Sequence, residues 1–320
     1  MGVIDSLSEG LALVRRHPLA MAIPVVMDLA IWLAPQLSVQ PLAESLANGM
    51  QASGVIAPQT TDSIQAAKDV LLSLGQQANL IGLLSTSIVG VPSVVAGGMP
   101  EGAANVGGAV LVSNPFVAVL LALGFGVVGL LVAALYLTTI ATLLRGDSLQ
   151  VAGLLRSAGR VWLKLLLLAL ALVVLAAVVT VPITLSVSLL SIVSPTVAAF
   201  LASLVGLLGL WVGIWVVFYL FFVVDAMVLQ NVGLQRAIVN SIVVVRSSFW
   251  SAVGFIILLN VIAAGLSVVW QWLAQSATIG LVAAIAGNAF IGSGLAAASL
   301  VFYRDRYDAW RKRVLERGGK

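Results

Sequence analysis

The sequence predicts an all-α membrane protein: six transmembrane helices, three amphipathic interfacial helices on the cytoplasmic side and a helical insert on the extracytoplasmic side. Three observations lead there. Hydrophobic residues make up 61% of the 320 and charged residues 9%, against roughly 45–50% and about 25% in soluble chains. Six apolar runs approach or exceed the roughly 20 residues that a helix needs to cross a hydrocarbon core about 30 Å thick. The 16 Lys and Arg residues collect on one side of the map those runs define. A membrane barrel would alternate polar and apolar residues along each strand, and "LLLLALALVVLAAVVTVPITL" does not.

The first run covers residues 19–33 and contains most of "PVVMDLAIWLAP", with Asp28 near its middle. The others cover 116–144, 162–190, 196–224, 249–273 and 279–302, followed by a basic tail at 304–320. Residues 36–113 form the insert, in which "TTDSIQAAKDVLLSLGQQ" reads as a surface helix. Residues 79–97 are long enough to cross, but "GVPS" interrupts them, because proline lacks an N–H and disfavours α geometry in the residue before it. That segment is expected to lie at the interface or to re-enter. On this map every Lys and Arg except Lys68 falls on one side. The positive-inside bias then puts both termini in the cytoplasm. Trp162 and Trp250 open spans on that side, and Trp32, Trp270 and Trp272 close spans on the other, as boundary tryptophans do. Trp211 and Trp215 fall mid-span and are expected to pack.

An amphipathic stretch ending in arginine precedes spans one, three and five. In "DSLSEGLALVRRHPLAMAI", Ile4, Leu7, Leu11 and Val14 recur at helical spacing and Ser6 with Glu9 fits a capping box. The simplest organisation is three units, each an interfacial helix followed by a helical hairpin.

The span order, "GLLRSAGRVWLKL" before the third span and "FFVVDAMVLQNVGLQRAIVNSIVVVRSSFWSAVGFI" between the fourth and fifth resemble the prokaryotic glycerophosphoryl diester phosphodiesterase membrane-domain family. The resemblance implies a six-span membrane module that some members fuse to a soluble hydrolase. The 36–113 insert departs from the compact family plan.

The residues offer little for catalysis. There is no cysteine and a single histidine, His17 in "RRHP", so neither thiolate chemistry nor an HExxH zinc site is available. No metal and no cofactor are expected, and the protein is read as a non-enzyme. Nucleic acid is not an expected partner, since the positive charges follow the membrane. The candidate residues are the polar groups within or beside the spans: Asp28, Asp225, Asn260 and Asn288. The two amides are expected to bond to neighbouring helices, and Asp225 to pair with an arginine such as Arg236. An ionised acid at the Asp28 depth costs on the order of 2.5–3.5 kcal/mol. It is therefore expected to face the bundle interior or the insert as a hydrogen-bonded clasp, with a proton or cation site as the rival. Gly209 and Gly213 form a GxxxG, and Gly129 with Ala133 a small-xxx-small pair, both read as packing surfaces within the chain, with dimerisation the alternative. The expected function is a membrane scaffold or accessory module. Its partners would be membrane lipids, and either another protein or a second copy of the chain. A small-solute or ion transporter is the alternative.

Overall fold

The computed structural model describes residues 2–52, 61–85, 90–98, 107–148, 150–276 and 278–318, and these are almost entirely helical. Helix α1 covers Val3–Arg16, and a short 3-10 turn at Pro18–Met21 leads into α2, Ala22–Leu33. The insert contributes β1 (Gln36–Ser38), α3 (Gln40–Ala52), α4 (Thr61–Gln77), a 3-10 turn at Leu80–Leu84 and β2 (Ala109–Leu111). Then follow α5 (Pro115–Arg145), α6 (Val151–Val193), α7 (Pro195–Leu220), α8 (Val223–Gln230), α9 (Leu234–Ser247), α10 (Phe249–Ser276) and α11 (Thr278–Gly318). Five of these elements are long and apolar enough to cross a membrane, α7 and α8 counting as one. A sixth span exists if α1 and Pro18–Leu33, bent by 98° from each other, are taken as one broken span.

The bend has a local cause. Pro18 starts the 3-10 turn, His17 leaves helical geometry at φ −129°, and proline at a first helical position ends the ladder behind it. The expected first span therefore divides. Helix α2 alone has 12 residues, about 18 Å, and the rest of that run is the 3-10 turn at Pro18–Met21.

Helix α1 also departs from a simple interfacial helix. It begins before the expected capping box, with Asp5 accepting the Gly2 N–H at 2.7 Å. Ser6 lies inside the helix, donating to the Gly2 carbonyl, and Glu9 pairs with Arg304 at 3.3 Å. Its buried face runs through Ser6, Gly10 and Val14, while Ile4 is 73% exposed. That face lies against α11, where a Cβ on Gly10 would strike the backbone of Gly294 and Ala298. Small residues bring these helices into backbone contact.

The second expected interfacial helix is not separate. Residues 151–160 continue without a break into α6, 43 residues and about 64 Å long, because no proline or left-handed residue interrupts the periodicity there. The third does separate, as α9, from α10. The tail after residue 303 is likewise a continuation of α11, and the fourth run is interrupted at Phe221–Phe222 before α8.

Two clusters form the core. The larger gathers α5, α8, α9, α10 and α11 around stacked aromatics, with Phe255 and Phe302 4.2 Å apart and nearly parallel, and Phe222 5.6 Å from Phe302. The smaller gathers Met27 and Ile31 of α2, Ile81, Val94 and Val95 of the insert, and Leu281, Ala284 and Ile285 of α11. Trp215 stacks on Phe249 at 6.0 Å, as a packing residue should, whereas Trp211 is 62% exposed.

Candidate functional site: the Asp28 clasp and the Asp225 cavity

The insert closes at its neck. Strands β1 and β2 pair in parallel, Gln36 opposite Ala109. Asn79 Oδ1 accepts the N–H groups of Leu37 and Ile81 at 3.1 and 3.2 Å. From there the chain turns back among the helices. A Cβ on Gly129 of α5 would strike the Leu83 and Leu84 backbone, and one on Gly292 of α11 would strike Pro92. Gly129 lies 14 residues beyond Pro115 and Gly292 14 beyond Thr278, so the segment reaches about 21 Å below the insert ends of both helices. Residues 90–98 are irregular, and irregular backbone at such depth persists only where protein satisfies its polar groups.

Asp28 satisfies two of them, while Ser85 meets both polar groups of Val91. Val94 N–H lies 3.1 Å from both carboxylate oxygens and Val95 N–H 3.3 Å from Oδ1. The Ser93 hydroxyl also donates to Oδ1 and itself accepts the Ala96 N–H at 3.0 Å. Successive backbone N–H groups aimed at one anion form a nest, here occupied by a carboxylate of the same chain. Asp28 is fully buried. It lies five residues before Leu33, the last residue of α2, about 8 Å from that helix end and near the middle of the 12-residue helix.

Two further interruptions of regular structure are met in the same way. Pro24 has no N–H to offer the Ala20 carbonyl, and the fully buried Ser293 hydroxyl of α11 donates to it at 3.2 Å while accepting from Tyr136. At the α7–α8 break, the buried Ser241 of α9 donates to the Tyr219 carbonyl at 2.7 Å. Trp162 ties α6 to the Val127 carbonyl of α5 at 3.0 Å. Lys164 holds Asn231, the left-handed residue after α8, at 2.6 Å.

Asp225 sits just past the α7–α8 break and does not meet Arg236. Its partner is the Ser299 hydroxyl of α11, at 2.6 Å. The carboxylate is buried, which keeps exposed arginines on α9 out of reach. It lines a cavity of about 410 Å³ whose other walls are mainly aliphatic, including Leu137, Leu168 and Val216. A second cavity of about 440 Å³ shares Gly90, Phe221, Ala296 and Ser299 with it and contains both amides. Asn260 is exposed and bonds within its own helix, to the Ile256 carbonyl at 2.8 Å, rather than to a neighbour. Asn288 is half-buried on the cavity wall. The four candidates thus fall into two places: Asp28 alone under the insert, and Asp225, Asn260 and Asn288 around the joined cavities. His17 is exposed at the end of α1. No group of three His, Cys, Asp or Glu side chains able to hold a metal occurs among the described residues.

Ser93, Ser293, Ser299, Ser241 and Tyr136 escaped sequence reasoning. Only Ser93 had a signal, its place in "GVPS"; a serine in an apolar helix looks the same whether it serves a distant carbonyl or its own turn.

Gly129 and Ala133 are at a packing surface, Gly129 against the insert and Ala133 fully buried. Gly209 and Gly213 are not: a Cβ at either would meet nothing within 4 Å. Comparison with protein-family models, with curated proteins and with solved structures finds no match to the chain.

Proposed function

We propose that this protein is a non-enzymatic membrane module of a prokaryotic plasma membrane that organises lipid or partner proteins, akin to the phosphodiesterase membrane domains its sequence resembles. The observation that carries the reading is the sealing of Asp28: its carboxylate is consumed by Ser93, Val94 and Val95 and fully buried. A relay for protons or ions needs an acid that water reaches, and this one holds a loop. In proteoliposomes the protein is expected to leave proton, potassium and small-dye permeability at the level of empty vesicles. A flux that Asp28→Asn abolishes would overturn the proposal.

The joined cavities beside Asp225 favour a second reading, a small-solute carrier. The same flux assay with Asp225→Asn separates the two. The topology that goes with the main reading places both termini in the cytoplasm: reporters after Gln36 and at Ser113 should report outside, and one at Asp147 inside. The corresponding position in the middle of the insert, Met99, lies outside the described residues.

A further inference from the structure

We infer that the basic end of the bundle carries a built site for the phosphate of an anionic membrane lipid. A cavity of about 520 Å³ opens there between the ends of α5 and α8 and the continuation of α11, lined by Arg145, Arg304, Arg311, Tyr303, Tyr307 and Asp308 among others. Three helices leave their apolar stretches at this point. Arg145 is the last residue of α5, Leu229 and Gln230 end α8, and Tyr303 follows the apolar part of α11. The cavity thus lies where the hydrocarbon of a bilayer would give way to headgroups.

Its wall carries three guanidiniums against one carboxylate, with Glu9 behind Arg304 as a further negative charge. Two of the arginines are held in place before any ligand arrives. Arg145 donates through Nη2 to the Val228 and Leu229 carbonyls at 3.0 and 2.8 Å, the acceptors that the end of α8 leaves free. Its Nε and Nη1 hydrogens are not engaged in those bonds. Arg304 is held by Glu9 at 3.3 Å and the Leu144 carbonyl at 3.5 Å. Arg311 is exposed at the mouth. Guanidiniums fixed in this way lose little freedom on gripping a phosphate, which they match with paired N–H donors. The remaining lining suits a lipid rather than a free phosphate: Leu229 and Val232 give an apolar edge, and the half-buried Tyr307 combines an apolar ring with a polar tip. Basic pockets between helices at the cytoplasmic boundary are suited to such headgroups.

This inference rests on the lipid-directed side of the proposed function, but its readout is lipid binding rather than flux, so either can fail without the other. The test is a titration of phosphatidylglycerol into the detergent-purified full chain, with bound lipid read by native mass spectrometry, phosphatidylcholine as the neutral reference and glycerol 1-phosphate as the soluble arm. Arg311→Gln removes one cation that no described contact uses for folding, and Lys312→Gln removes one from the exposed helix beside the cavity. The expected result is preferential binding of phosphatidylglycerol that Arg311→Gln weakens by about fivefold and Lys312→Gln leaves unchanged. Equal losses in the two variants would reduce the effect to general attraction by the tail and overturn the site. Binding of glycerol 1-phosphate with no preference for the anionic lipid would overturn the assignment to a membrane lipid.

Discussion

Helix α11 and the α6–α7 hairpin are all long and apolar enough to cross a membrane, α11 the least apolar of them, yet they live differently. In the most apolar stretch of α11, 39% of the residues are buried within the chain, against 6% for α6. Around α11 the structure uses small residues and polar donors: Gly10 and Gly294 bring α1 onto it, Gly292 admits Pro92, and Ser293 and Ser299 reach α2's entrance and Asp225. Along α6 and α7, leucine and valine project outward at Leu170, Val178, Leu189, Leu207 and Leu210. Lipid tails are as apolar as leucine, so such surface gains nothing by finding a protein partner. Hydrophobicity marks which helices can enter a membrane. Specific packing comes from glycines, serines and the two buried acids.

The comparison breaks most sharply at Asp28. Replacing it with leucine orphans the Val94 and Val95 N–H groups and the Ser93 hydroxyl, at about 1–3 kcal/mol for an unsatisfied buried group. Asp28→Leu should therefore lose about 3 kcal/mol or more in denaturant unfolding, while Asp28→Asn, which keeps one acceptor, loses about 1 kcal/mol. A leucine variant as stable as the parent would show that the insert does not depend on the clasp.

Next comes Gly10→Val, which pushes a branched side chain into the Gly294 and Ala298 backbone and should cost about 1–3 kcal/mol by overpacking. Unchanged melting would mean that α1 detaches from α11 at no loss.

The Ser293 contact sharpens the picture through coupling. Ser293→Ala should lose about 1 kcal/mol, and less in a Pro24→Ala background, because alanine restores an N–H for the Ala20 carbonyl. A double-mutant cycle with no coupling would remove that role from Ser293.

The smallest effect belongs to the hairpin. Gly213→Ala meets open space and should raise stability by about 0.5–1 kcal/mol through helix propensity alone. A loss instead would mean that a second copy of the chain covers this face, as the dimerisation alternative for the GxxxG requires.

By itself the sequence determined the helical membrane class, the apolar runs, the insert and the break at "GVPS", since each depends on local composition or on proline's missing donor. Asp28 stood out for the same reason: a charge among some fourteen apolar neighbours is visible without a partner. What it served was decided only by tertiary structure, because Val94 and Val95 are 66 and 67 residues away and backbone N–H groups leave no trace in a sequence. The same holds for Asp225, whose charge suggested an arginine on the next helix but whose burial delivered it to Ser299, 74 residues on. The GxxxG failed as an intramolecular surface because spacing shows which residues share a helix face, and only the fold decides what that face meets.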